Sequence, residues 1–183
     1  MNKWFLFIVM AIFFSRNDSY TPKPSGYSRI DFPKKLTKKS ESHCPFNFQQ
    51  PLYAEIVNNR DQKCWFDLEF NTFNGKLYMS YKSLNKNLYT FTEDSRELAY
   101  KHAQQAEAIS EQRFVNDSLK VYGMVYTFEG NMATPMQFYL TDSTTHFVRG
   151  ALYFNTAMND SIEPIVNFIK EDIYTIIESW QWK

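Results

Sequence analysis

Two runs of strict alternation flank the dipeptide Asn74-Gly75. From Cys64 to Phe70, the residues Cys64, Phe66, Leu68 and Phe70 alternate with Trp65, Asp67 and Glu69. Leu77, Met79 and Tyr81 alternate likewise with Tyr78, Ser80 and Lys82. A period of two gathers the apolar side chains on one face of an extended chain, the pattern of a half-buried strand. Asn-Gly is the favoured pair for a tight hairpin turn, because both central positions take positive φ. The chain must therefore hold an antiparallel hairpin with one apolar face to cover. A lone hairpin is marginal in water, so more strands or a helix must complete it.

Both are at hand. Tyr27–Phe32 and Tyr53–Val57 are weaker strand candidates ahead of the hairpin. Beyond it, Phe91, Ser95, Leu98, His102, Ala106 and Ile109 recur at spacings of three and four, predicting a helix over Thr92–Arg113 with His102 on its inner face. Glu93, Asp94 and Glu97 suit the first turns of that helix, near the positive end of its dipole. Three further strands follow at Val121–Tyr126, Met136–Leu140 and Phe147–Asn155, with short connections that favour antiparallel neighbours. A last helix is predicted over Ile162–Trp180, where Ile162, Ile165, Val166, Ile169, Ile173, Ile176, Ile177 and Trp180 form one stripe. Ser161 is its candidate N-cap, with Pro164 tolerated in the first turn. Without alternating β-α-β units, this order predicts a single α+β domain: an antiparallel sheet of about five to seven strands packed by two main helices. Aromatic residues are 18% of the chain, and most fall on these strand faces and helix stripes, where core packing accounts for them.

The N-terminus is different in kind. Lys3 precedes eleven consecutive apolar residues, Trp4–Phe14, and then a polar stretch, 15–19. The run is shorter than the ~20 residues a spanning helix needs, and a charged start with a short apolar run matches a secretory signal. No small-x-small cleavage triplet follows it. Tyr20-Thr-Pro-Lys-Pro24 reads as an extended tether, since each proline biases its predecessor away from helix. Lys34, Lys35, Lys38 and Lys39 then make a basic run, a solvated loop or a contact for anionic headgroups or an acidic partner. The formal net charge of zero hides this division: residues 1–40 carry +6 and residues 41–183 carry −6. The neutral total excludes a strongly basic nucleic-acid binder. The expected organisation is a signal or anchor segment at 1–19, an extended basic tether with a first strand at 20–42, and the α+β domain at 43–183. An acidic body behind a basic arm suits a protein held near an envelope surface.

Cys44 and Cys64 are the only thiols. In an exported chain an even pair reads as a disulfide. His43 sits beside Cys44, so zinc and a thiol nucleophile must be weighed, but two cysteines and three histidines (43, 102 and 146) without paired spacings make a poor zinc set. No metal or cofactor is predicted. Nor does the sequence hold a G-x-S-x-G elbow, an H-E-x-x-H pair, a phosphate loop or a dinucleotide fingerprint. Asp142, Ser143 and His146 offer the residue types of a triad, yet triad members meet in space rather than by adjacency, and a polar turn explains residues 141–145 better. Glu107 and Glu111, one helical turn apart in the predicted helix, read as solvated surface.

Several long stretches resemble the gliding motility lipoprotein GldD family of Bacteroidetes. These are residues 20–33 (Tyr-Thr-Pro-Lys-Pro-Ser-Gly-Tyr-Ser-Arg-Ile-Asp-Phe-Pro), His43-Cys-Pro-Phe46, Cys64-Trp-Phe66 and Glu93-Asp-Ser-Arg-Glu-Leu-Ala-Tyr-Lys-His102. Glu107–Gln112, Gln137–Ser143 through His146, Arg149–Asn155, and Phe168–Asp172 through Lys183 continue the likeness over residues 20–183. The resemblance implies an accessory protein of the cell envelope, required for gliding, linked to the type IX secretion machinery and other gliding components, and without enzymatic activity. The order of strands and helices is also similar to the PsbP-like fold, a likeness that carries no function. Members of the GldD family place a lipid-accepting cysteine just before the Tyr-Thr-Pro-Lys-Pro segment. Here Ser15 or Arg16 stands in that region, so no thioether-linked lipid is expected, and Trp4–Phe14 is left to hold the chain at a membrane. A different class of function, a periplasmic module binding a small ligand between aromatic side chains, predicts a deep pocket instead of a filled core.

Overall fold

The hairpin grows into a seven-stranded antiparallel sheet. The computed structural model describes residues 29–41, 43–59, 61–103, 106–130, 132–155 and 162–183, without the side chains of His102 and Ala103. The apolar segment 4–14, Ser15, Arg16, the 20–24 tether and Ser161 lie outside the described residues. Residues Asp31–Lys183 form one packed unit. Its elements in chain order are β1 (Thr37–Lys39), β2 (Phe46–Asn47), β3 (Gln49–Pro51), β4 (Glu55–Asn58), β5 (Phe66–Phe70) and β6 (Gly75–Ser83). Then come α1 (Leu88–Ala103), β7 (Ala108–Asn116), β8 (Val121–Glu129), β9 (Met136–Thr141), β10 (His146–Phe154), α2 (Glu163–Glu178) and β11 (Gln181–Trp182). The main sheet runs β4-β5-β6-β10-β9-β8-β7, and small two-stranded sheets pair β1 with β3 and β11 with β2. This is the single α+β domain with two main helices that the periodicities predict.

Alternation decides which face is covered. On β5 and β6, Phe66, Leu68, Phe70, Leu77 and Met79 are buried while the residues between them are not. The register carries the same face across β10, with Gly150 opposite Met79 and Leu152 opposite Leu77, and on to Phe138 and Val125. The buried stripe of α2, Val166, Ile169, Ile173, Ile176 and Ile177, meets this inner face. Each such side chain contributes about 1.5–3 kcal/mol on full burial. At Gly75 a Cβ would lie 3.0 Å from the Phe154 ring and 3.4 Å from Ile169 Cδ1, so a missing side chain lets helix and sheet close together. The end of the core is aromatic: Trp180 stacks on Phe46 and Phe48 at 4.6 and 5.1 Å between centroids, and Phe48 stacks on Phe66 at 5.8 Å.

Four expectations need correction. The hairpin between β5 and β6 is present, but the chain turns through a short 3-10 segment, Asn71–Phe73. Only Asn74 takes positive φ, at 51°, and Gly75 is already in the strand. The helix predicted over Thr92–Arg113 begins at Leu88 and ends at Ala103, and Ala108–Asn116 is an edge strand paired along its length with β8. Glu93, Asp94 and Glu97 therefore lie beyond the first turn, and Leu98 is 39% exposed, leaving Ser95 and Ala99 as the buried residues among the described side chains of α1. Residues 29–32 are not in a strand. Finally, α2 starts after Ile162, with no side-chain cap and with Pro164 in its first turn.

Candidate binding cleft

The sequence motifs with residue types suited to chemistry are spent on structure. Asp142 accepts hydrogen bonds from the backbone N–H groups of Thr144, Thr145 and His146 at 3.0, 2.8 and 2.7 Å, closing the β9–β10 turn. Partial burial pushes its carboxyl up, but these donors outweigh that and hold it below the usual range. His146 Nδ1 lies 3.0 Å from the Tyr81 hydroxyl, and its ring stacks on Trp182 at 5.2 Å. Ser143 is exposed, with φ at 70° and its N–H donated to Thr141 Oγ1, and no hydrogen bond joins it to His146. Glu107 precedes β7 and Glu111 lies within it, accepting a hydrogen bond from the Tyr100 hydroxyl at 2.6 Å, so the two do not share a helix. The side chain of His102 lies outside the described residues.

Cys44 and Cys64 form a disulfide spanning 20 residues, leaving no thiol to react. Among the described residues no three His, Cys, Asp or Glu side chains gather as metal ligands. The basic run divides. Lys34, Lys38 and Lys39 are exposed, whereas Lys35 is engaged by Glu171 at 2.9 Å, Asp172 at 3.1 Å and the Phe168 ring at 4.1 Å.

The outer face of the sheet is where unspent groups meet. Helix α1 crosses only part of it, packing Ala99 near Tyr126, Phe128 and Met132. Beside the helix opens a cleft of about 380 Å³, within the range of small-ligand sites. Its floor is the outward row of the ladder: Ser80 on β6 lies opposite Arg149 on β10, and Lys82 opposite Phe147. Trp65 and Phe91 form its sides. The Trp65 indole N–H donates to the Tyr81 carbonyl at 2.9 Å, and the Lys82 ammonium sits 4.6 Å above the Phe91 ring. A shallower depression shares Trp65, Lys82 and Phe91 and extends to His43 and Cys64.

Arg149 dominates the electrostatics. It is half-buried, and its Nη2 donates to Gln137 Oε1 at 2.6 Å. Gln137 is 1% exposed, so the guanidinium is held by a fixed but neutral partner. Burial pushes the Arg149 pKa down from the ordinary guanidinium value, against an opposing effect of Tyr153, and the group stays charged near neutral pH. Of the other charges lining the cleft, Lys101 and Glu97 are paired at 2.8 Å, leaving Lys82 and Asp94 beside Arg149. Sequence reading missed Arg149 as a site residue. The signal was present as a lone cation inside an otherwise apolar strand, on the same face as Ser80 and Lys82.

A family model described as gliding motility lipoprotein GldD matches residues 17–182, nearly all of the 183-residue chain. No curated protein matches the chain.

Proposed function

We propose a function from one premise: the chain belongs to the gliding motility lipoprotein GldD family. It acts in the cell envelope as a non-catalytic accessory subunit, docking onto components of the gliding and type IX secretion machinery. The family match through residues 17–182 is the observation that carries this reading. The fate of the polar residues supports it, since Asp142, His146 and both cysteines are committed to turns, stacking and a disulfide. The exposed Lys34, Lys38 and Lys39 face an anionic headgroup surface, steering the acidic body toward a membrane with a salt-dependent attraction. The chain stays at that membrane without a thioether-linked lipid, since the region of Ser15 and Arg16 offers no cysteine.

In-cell cross-linking followed by mass spectrometry tests the docking. The expected result is cross-links from this chain to envelope proteins of the gliding or secretion apparatus. Cross-links confined to soluble periplasmic enzymes contradict it.

A further inference from the structure

We infer that the cleft between the outer sheet face and α1 binds a carboxylate carried on an apolar body, with Arg149 as its anchor. The inference stands apart from the motility reading and rests on the geometry of the cleft.

A half-buried guanidinium costs free energy unless an anion or a set of acceptors compensates it. Arg149 has five N–H donors, and among the described residues its only hydrogen bond goes to the neutral Gln137 carbonyl. No Asp or Glu forms an ion pair with it there. The bond to Gln137 instead fixes the plane of the fork, because the Gln137 side chain is itself immobilised by burial. A planar fork held in place with donors to spare matches the two oxygens of a carboxylate. Ser80, directly across the ladder, adds a half-buried hydroxyl that makes no hydrogen bond to a described residue. Lys82 adds a second cation at the rim, unpaired with any carboxylate among the described residues.

The rest of the cleft selects what carries the carboxylate. Trp65 and Phe91 offer ring surface, and the indole N–H of Trp65 is already satisfied, so that ring presents apolar area alone. Asp94 on α1, with Glu97 already balanced by Lys101, opposes a dianion, which favours a single carboxylate over phosphate. The ligand arrives either as a free small acid or as the C-terminal carboxylate of a peptide ending in an apolar residue. Both present the same chemistry to Arg149.

The test titrates the full-length chain, in a mild non-ionic detergent, with 3-phenylpropanoate and with acetyl-Gly-Gly-Phe. The amides of both compounds serve as controls, and binding is followed by calorimetry and by the indole N–H resonance of Trp65. The acids should saturate one site and shift that resonance, and the amides should bind at least tenfold more weakly. Arg149→Lys keeps the charge and loses the fork, and should weaken the acids tenfold or more. Lys82→Met, at an exposed position, should weaken them about threefold without touching the fold. Tighter binding of the peptide assigns the carboxylate to a protein terminus, and tighter binding of 3-phenylpropanoate assigns it to a free acid. Equal binding of acids and amides, no saturable binding of either acid, or unchanged affinity in a folded Arg149→Lys overturns the inference. None of these results bears on whether the chain supports gliding.

Discussion

The Lys35 ammonium lies 3.1 Å from Asp172 Oδ1, joining the segment ahead of β1 to the middle of α2 across 137 residues of sequence. Asp172 is 3% exposed and also accepts a hydrogen bond from the Tyr53 hydroxyl. Lys35 closes the arrangement by donating to the Phe168 carbonyl at 2.8 Å and covering the Phe168 ring. A helix carrying a buried carboxylate is thereby strapped by two segments that precede the main sheet in sequence.

Removing the carboxylate should cost more than removing the cation. Asp172→Ala leaves the Tyr53 hydroxyl without its acceptor and should lower stability by about 2 kcal/mol. Lys35→Met removes a partly solvated charge and should cost about 0.5 kcal/mol. Urea unfolding of the two variants checks the order, and equal losses contradict it.

Tyr53 also sets an alkaline limit. Burial first, then the hydrogen bond and charge of Asp172, raise its pKa well above the ordinary tyrosine value. A raised folded-state pKa binds the proton more tightly in the native state. The stabilisation is therefore complete below the unfolded value of about 10 and is lost as pH rises beyond it. Tyr126 and Tyr139 are raised by burial as well, so the wild-type chain should lose stability steeply above about pH 10. Tyr53→Phe should flatten part of that slope and leave the profile near neutrality nearly level. Thermal melts across the alkaline range measure both.

The disulfide is the third lever. Closing a loop of this length between Cys44 and Cys64 stabilises by about 3 kcal/mol on the chain-entropy account. The reduced protein, or the Cys44→Ser/Cys64→Ser double variant, should show that loss in urea. An unchanged midpoint after complete reduction contradicts it.

Gly150 reports how tightly the inner face is packed. A Cβ there would lie 2.4 Å from the Phe138 ring. Gly150→Ala should cost about 1–3 kcal/mol through overpacking, read as a lowered melting temperature.

The hairpin, the inner face and the α2 stripe were legible because each has one period and one face to bury. Ala108–Asn116 was not. The run from His102 to Ile109 is rich in residues that suit a helix, and β7 is an edge strand with exposed positions on both faces, so no alternation marks it. Its nine-residue pairing with β8 decides its conformation, a long-range contact that local periodicity cannot carry. Asn74-Gly75 misled for a related reason. Asn74 does take the left-handed turn position, but Gly75 is needed for the approach of Phe154 and Ile169. The disulfide was readable from the pairing of two cysteines in an exported chain. The cleft was not, because Ser80 and Arg149 meet only through the β6–β10 register, while Phe91 comes from α1 and Trp65 from the loop ahead of β5.

The central claim is that this chain supports gliding by docking and performs no catalysis. The most direct measurement is the spreading zone of a strain lacking the chain, complemented with wild type, Ser143→Ala or His146→Gln. The account predicts that deletion abolishes spreading and that all three restore it wherever the protein accumulates. Parental spreading in the deletion strain, or a folded Ser143→Ala or His146→Gln chain that fails to restore it, contradicts the account.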